Sequence, residues 1–144
     1  MIRKTSYLAL CALLFAHCVS AEAQQAKKVP LIGFLTTVSP STISDRVEAF
    51  RQGLRELGYV EGKNIVIEWR YAEGKPESEV AAELVRLKVD VIVTVGPPVT
   101  GSAKKATSTI PIVMAQDPDP VGNGFVASLA RPGGNITGLS ALAP

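Results

Sequence analysis

Cysteine and histidine are nearly absent from this chain of 144 residues. The two cysteines and the single histidine are Cys11, Cys18 and His17, all close to the first residue. If the N-terminal segment is removed, the remaining chain cannot by itself form a disulfide, a Cys/His zinc site, a thiolate nucleophile or a Ser-His-Asp triad. The composition therefore argues against the metal centres and hydrolytic sites that depend on these side chains.

An excess of charge of one sign is also missing. The chain has 15 basic and 13 acidic residues, for a net charge of +2. This balance gives no electrostatic basis for binding nucleic acid or an anionic membrane surface, so we expect no nucleic-acid partner. The length suits about one domain, and 47% hydrophobic residues with only 6% aromatic residues are typical of a globular domain with an aliphatic core.

Residues 1–23 have the three-part layout of a secretory signal peptide. Two basic residues precede the apolar run Tyr7–Phe15, and small residues follow it up to Ala23. The run is too short to cross a bilayer of about 30 Å as a helix, which argues against a membrane anchor. A lipoprotein signal ending at Cys18 fits the flanking residues less well. We therefore expect cleavage after Ala23 and a location in the periplasm.

Predicted strands alternate with predicted helices along the rest of the chain. Continuous apolar runs are typical of strands buried on both faces, and apolar residues at steps of three and four indicate helices. The predicted strands are 29–37, 64–74, 90–96, 111–116 and 136–140, and the predicted helices are 45–57, 77–88, 97–108 and 121–130. The alternation predicts an α/β fold, a doubly wound parallel sheet with helices on both faces. Partial alternation in 64–74 predicts a half-exposed edge strand.

The first predicted helix has recognisable ends. Asp45 followed by Glu48 fits a capping box at its start. Gly58 suits the left-handed position that ends a helix. Gly53 in the helix interior is unfavourable by about 1 kcal/mol relative to alanine, so we interpret it as a point of close packing on the sheet.

Polar side chains and helix starts follow the predicted strands. In a doubly wound sheet, ligands bind beyond the carboxyl ends of the strands, where the strand order switches. The candidate ligand-binding residues at these ends are Thr36, Thr37, Ser39, Gly96, Pro97, Thr100, Gln116, Asp117 and Ser140. Hydroxyl, amide and carboxylate groups, with backbone N–H groups at helix starts, suit a small polar solute. They are poorly suited to proton transfer at neutral pH, so we expect no catalytic residue.

The candidate residues also have a purely structural interpretation as helix caps and turn residues. Nucleotide-binding motifs offer no alternative, because the sequence contains no GxxxxGK[ST] run. The GNG at 122–124 is neither a full GxGxxG nor directly after a strand, so we expect no dinucleotide and no other cofactor.

Asp117 and Asp119 stand one residue apart, and each is followed by a proline. A magnesium or calcium ion would need more oxygen ligands than these two carboxylates, so we expect no metal. Pro118 and Pro120 fix φ and remove two N–H donors, which makes the connector stiff. We interpret Asp119 as the cap of the helix 121–130 and Asp117 as the residue that reaches a ligand amine or hydroxyl.

Several runs resemble the ABC-transporter substrate-binding proteins, in particular those grouped with the tryptophan- and aromatic-amino-acid-binding proteins of bacterial uptake systems. The most specific runs are GLRELGYVEGKNI at 53–65 and VASLARPGGNITGLS at 126–140. The resemblance implies a type I periplasmic binding protein with two doubly wound lobes, a solute between them and an ABC permease in the inner membrane as partner. It further implies that 29–140 form the N-terminal lobe and that 141–144 begin the crossover to a second lobe, which this chain lacks.

One segment departs from the pattern of the resembling proteins. They tend to carry a Gly-Thr-Pro turn after the third strand, where this chain has Gly96-Pro97-Pro98. The change removes a hydroxyl and an N–H donor at Pro97. The resemblance therefore implies a receptor for a small polar solute, such as an amino acid, with altered ligand contacts at this turn.

Two other functional classes share the predicted fold. A secreted α/β hydrolase is disfavoured because the sequence has no G-x-S-x-G run and its one histidine lies in the predicted export segment. The effector domain of a transcription regulator would lack an export segment and would carry a helix-turn-helix. We expect a solute-binding protein and not an enzyme.

Overall fold

The structure, a computed structural model, describes residues 28–141. Strands and helices alternate along this part of the chain. The elements are β1 (Leu31–Thr36), α1 (Pro40–Glu56), β2 (Val66–Tyr71), α2 (Glu77–Arg86), β3 (Val91–Val95), α3 (Pro97–Ala106), β4 (Ile112–Asp117) and β5 (Ile136–Ser140). The predicted signal peptide and residues 142–144 of the predicted crossover lie outside the described residues.

The five strands form one parallel sheet in the order β2-β1-β3-β4-β5. The prediction of a doubly wound α/β fold is confirmed. The second predicted strand is indeed an edge strand, because β2 pairs with β1 alone in this order. Its side chains follow the predicted alternation in part, with Val66 exposed and Ile67 buried.

Two hydrophobic clusters cover opposite faces of the sheet. On one face α1 packs through Ile43 and Val47 against strand residues that include Phe34. On the other face α2 and α3 pack through residues such as Leu84 and Val99, both with no exposed surface. Each fully buried side chain of this size stabilises the fold by about 1.5–3 kcal/mol, so both layers are needed for a stable sheet.

Helix α1 begins at Pro40, so the predicted start at Asp45 was wrong. Ser39 is the residue before the first helical turn, and it has an extended backbone with φ −63° and ψ 151°. Proline is favoured at the first helical position because its fixed φ matches the helix and its missing N–H leaves no unpaired donor there. The predicted end is confirmed, since Gly58 has a φ of 84°.

The close approach of a helix to the sheet occurs at Gly33 and not at Gly53. A Cβ atom at Gly53 would meet nothing within 4 Å, so the interpretation of that glycine was wrong. A Cβ atom at Gly33 in β1 would lie 2.9 Å from the Leu84 methyl groups of α2. The glycine in the strand therefore lets α2 pack directly on β1.

The predicted helix at 121–130 is a series of turns. Backbone bonds run from Asn123 N–H to the Asp119 carbonyl at 2.9 Å and from Phe125 N–H to the Pro120 carbonyl at 2.9 Å. Asp119 does cap this segment, because its Oδ1 accepts the Gly122 N–H at 2.8 Å. Two closely spaced glycines make a longer helix unfavourable by about 1 kcal/mol each relative to alanine.

The loop between α1 and β2 is held to the sheet by Glu61. Its carboxylate accepts hydrogen bonds from Arg51 Nε and from Trp69 Nε1, both at 2.7 Å. The Arg51 guanidinium also lies 4.6 Å from the centre of the Trp69 ring. Burial acts to raise the pKa of Glu61, but the hydrogen bonds from Arg51 and Trp69 outweigh it, so the pKa lies below its ordinary value.

We expect Glu61 to contribute stability that acid removes. A carboxylate with a lowered pKa in the folded state stabilises the fold above its unfolded pKa, and this contribution is lost as the pH falls through the folded pKa. The difference in unfolding free energy between the wild-type protein and Glu61→Gln should therefore shrink as the pH falls from about 7 to about 3. Urea denaturation at several pH values measures this difference. Glu73→Gln, which changes an exposed loop carboxylate, is the control. A difference that stays constant with pH would contradict the assignment.

Candidate ligand-binding site

The strand order switches between β1 and β3. From β1 the chain crosses to β2 on one side, and it returns to β3 on the other side. Ligands of open α/β sheets bind in the crevice beyond the carboxyl ends of the strands at such a switch. Here the crevice lies above Thr36 and Val95, which are partners at the ends of the two strands.

The structure brings all nine predicted site residues to this one edge. The ends of the strands are in register, with Thr36 beside Val95, Val95 beside Gln116 and Asp117 beside Ser140. The other predicted residues follow β1 or β3 within a few positions. The edge therefore brings the predicted hydroxyl, amide and carboxylate groups to a single location.

Six of the nine residues are accessible at this edge. Thr37 and Gln116 are exposed, and Ser39, Gly96, Pro97 and Ser140 are half-buried. The Ser39 hydroxyl lies 2.9 Å from the Thr42 hydroxyl in the first turn of α1. A polar rim after β1 and after β4 is thus open to a solute.

The other three predicted residues, Thr36, Thr100 and Asp117, have no exposed surface. The Thr36 hydroxyl accepts the Val38 N–H at 3.2 Å and so shapes the turn after β1. The Thr100 hydroxyl donates to the Gly96 carbonyl at 3.0 Å. Since that hydroxyl has one proton, it accepts from the Thr94 hydroxyl at 2.8 Å. These groups therefore support the rim from below.

Asp117 ties the loop after β4 to the end of the sheet. Its Oδ1 accepts the Asp119 N–H at 2.9 Å and the Asn123 side-chain amide at 3.0 Å. Its backbone carbonyl accepts the Ala141 N–H at 2.8 Å. Within residues 28–141, its buried Oδ2 and the buried hydroxyl of Ser140 on the neighbouring strand have no hydrogen-bond partner. Asp117 is thus the support of this loop, with one oxygen left to accept a further donor.

A bulge in β4 decides which way Gln116 faces. Thr94 pairs with Met114 and the next residue, Val95, pairs with Gln116, so β4 has one extra residue there. The shift turns Gln116 toward the α1 face of the sheet, where Arg46 Nη1 donates to its Oε1 at 3.1 Å. Sequence reasoning missed Arg46, because a position inside a helix gives no sign of a bulge on a distant strand.

The start of α3 offers fewer N–H groups than the sequence suggested. Gly96 precedes the helix, and Pro97 and Pro98 have no N–H. Val99 is fully buried, and the Thr100 N–H is bonded to the Gly96 carbonyl at 3.2 Å. Pro97 and Pro98 therefore remove two of the backbone donors that a helix start usually offers, and they place two apolar rings at this end of α3.

Within residues 28–141, no group of three or more His, Cys, Asp or Glu side chains comes together. In the same part of the chain, none of the helices has the length and apolar character needed to cross a membrane.

Known proteins are similar to this chain in sequence. A sequence model of the family described as ABC transporter substrate binding protein matches residues 31–144. A tyrosine-binding protein of Clostridioides difficile is 35% identical over 117 residues, which make up 80% of this chain and 34% of that protein. The sequence resemblance to the aromatic amino-acid-binding group is therefore confirmed.

Solved structures share the fold as well. A conserved domain protein from Vibrio cholerae has a TM-score of 0.75 and 34% identity, over 81% of this chain and 40% of that one. An ABC domain from Streptococcus pneumonia in complex with L-Trp has a TM-score of 0.72 and 30% identity, over 78% of this chain and 39% of that one. The chain thus spans between about a third and two-fifths of the length of these relatives. The family model covers most of the chain and the solved relatives share its fold, so the chain belongs to the ABC transporter substrate-binding protein family.

Proposed function

We propose that this chain is the N-terminal lobe of an exported receptor that captures a small polar solute for an ABC-type uptake transporter. The observation that carries the proposal is the polar rim at the switch point of the sheet, in a chain of the substrate-binding family. Thr37, Ser39 and Gln116 are the accessible groups of this rim that hydrogen-bond the solute. The carboxyl ends of the strands in residues 29–140 thereby supply one wall of the binding cleft.

A second lobe supplies the other wall in this proposal. The cavity of about 210 Å³ at the rim, lined by Val38, Thr42, Ile43 and Arg46, is smaller than the roughly 300–1,000 Å³ of pockets that enclose a ligand. The relatives are also longer than this chain, which covers 34% to 40% of their lengths. Both observations support a solute held between two lobes, with 141–144 as the start of the crossover.

An aromatic amino acid is the solute class to test first. One relative is named for binding tyrosine, and another was solved in complex with L-Trp. The half-buried Pro97 and the exposed Pro98 at the start of α3 add apolar surface near the polar rim, which suits a solute with a flat apolar side chain and a polar end. The signal-peptide layout of residues 1–23 supports a periplasmic receptor, with an inner-membrane ABC permease as its partner.

The rim supports binding without chemistry. The Ser39 hydroxyl of the rim lies beside the Thr42 hydroxyl, and the buried Thr100 hydroxyl below the rim lies beside the Thr94 hydroxyl. A nucleophilic hydroxyl needs an adjacent base, which histidine usually supplies, and residues 28–141 contain no histidine. We infer that the protein releases its solute unchanged.

The proposal is tested by calorimetry on the complete gene product with L-tyrosine, L-tryptophan and a panel of sugars, polyamines and other amino acids. We expect one solute molecule per protein, and we expect mass spectrometry to recover that solute unchanged. Binding should also raise the unfolding temperature in proportion to the logarithm of the solute concentration. Conversion of an ester, phosphate or glycoside substrate would instead support a hydrolase and contradict the proposal.

A further inference from the structure

Arg46 lies at the same edge as the polar rim and has one fixed contact there. Its Nη1 donates to Gln116 Oε1 at 3.1 Å, which orients the guanidinium toward the end of β4. Arg46 also lines the cavity of about 210 Å³ with Val38, Thr42 and Ile43. A guanidinium has five N–H donors in a fixed plane, so one bond to Gln116 leaves others for a ligand.

The other arginines of α1 are used differently. Arg51 Nε binds Glu61 at 2.7 Å, and Arg55 Nη2 binds Glu48 at 2.7 Å. No carboxylate among residues 28–141 forms an ion pair with Arg46, whose side chain donates instead to the neutral amide of Gln116. A neutral acceptor positions the guanidinium without neutralising it, so Arg46 keeps its full attraction for an anion.

The usual anion-binding element of such an edge is weakened in this chain. Helix starts bind anions through free N–H groups and the helix dipole. Pro97 and Pro98 remove two of these groups from α3, and Val99 is fully buried. An anionic group at this edge therefore has a better partner in Arg46 than in the first turn of α3.

We propose that Arg46 is a specificity-determining residue that binds the carboxylate of the solute, with Gln116 holding the guanidinium in place. The inference rests on the proposed function and adds the chemical class of the ligand group and its location. Arginine is well matched to this role because its planar fork binds a carboxylate through two parallel hydrogen bonds. The solute is then a carboxylic acid or amino acid, and its carboxylate lies beside the first half of α1.

The test compares the binding affinity of each amino acid with that of the amine that has the same side chain but no carboxylate. Calorimetry on the complete gene product is run with L-tryptophan and tryptamine, and with L-tyrosine and tyramine. We expect Arg46→Ala to lower the affinity for the amino acid about ten- to hundredfold and to leave the affinity for the amine unchanged. Arg46→Lys should recover part of the loss, because lysine keeps the charge but not the fork. Arg55→Ala, which removes another exposed arginine of α1, is the matched control and should change neither affinity.

The outcomes separate this inference from the proposed function. Equal losses for amino acid and amine in Arg46→Ala would show a structural role and overturn the inference. The inference is also overturned if Arg46→Ala leaves the affinity for the amino acid unchanged, and in that case the proposed function stands. If no solute in the panel binds, the proposed function and the inference both fail.

Discussion

Gly138→Ala should destabilise the protein by about 3 kcal/mol or more, a large part of the 5–15 kcal/mol of a typical domain. Gly138 lies in the middle of β5 with a φ of 145°, which side chains rarely adopt. A Cβ atom there would lie 2.1 Å from the Met114 carbonyl oxygen and 2.6 Å from the Met114 nitrogen. These are backbone atoms of β4, so relief requires the two strands to move apart. Urea denaturation measures the loss.

Gly134→Ala is the matched control for this substitution. Gly134 stands just before β5, and a Cβ atom there would meet nothing within 4 Å. We expect its effect to stay within about 0.5 kcal/mol of the wild-type value. Equal stabilities for Gly138→Ala and Gly134→Ala would show that β5 does not approach β4 as described. The pairing matters for the site, because it places Ser140 beside Asp117.

Asp117→Ala should destabilise the protein by about 2–3 kcal/mol, because it removes a buried carboxylate that accepts two hydrogen bonds. The Asp119 N–H and the Asn123 amide would then lose their acceptor. Asp117→Asn should destabilise the protein less than Asp117→Ala, since the amide oxygen can still accept both hydrogen bonds. Thermal or urea denaturation of the two variants gives the comparison.

Asp119→Ala provides the control for Asp117. Asp119 is exposed and accepts a single backbone bond, from Gly122 at 2.8 Å. Loss of such a cap is expected to destabilise by about 1 kcal/mol. If Asp117→Ala and Asp119→Ala had equal effects, Asp117 would not support the loop in the way the buried contacts indicate.

The sequence was sufficient for the elements that depend on local patterns. The apolar runs at 31–36 and 91–95 are buried strands, and β5 has the predicted bounds Ile136–Ser140. Alternation of strands with helices predicts the parallel sheet, since a crossover helix returns the chain to the end of the sheet where the previous strand began. Gly58 ended its helix as predicted because the left-handed conformation is a local preference of glycine.

Features set by packing between distant segments were not predictable from local patterns. Gly33 lies under Leu84, a contact between residues far apart in sequence, whereas Gly53 looked special only within its own helix. The helix pattern at 121–130 was overridden by its glycines and by the bonds to Asp119 and Pro120. The start of α1 was not predicted because the apolar periodicity and the capping-box pattern both begin at Asp45, five residues after the first helical residue, Pro40.

The candidate site was predicted in location but not in detail. Parallel strands end at the same edge, so residues that follow them must gather there, and all nine do. Their burial depends on side-chain contacts, and this is why Thr36, Thr100 and Asp117 support the rim and do not face solvent. Arg46 joins the site because a bulge in β4 turns Gln116 toward α1.

The most direct measurement is a crystal structure of the complete gene product with L-tyrosine or L-tryptophan bound. We expect the solute at the carboxyl edge of the sheet, within hydrogen-bond distance of groups among Thr37, Ser39 and Gln116, and chemically unchanged. A solute bound instead at the opposite end of the strands, for example in the groove of about 350 Å³ lined by Tyr59 and Lys63, would contradict the account.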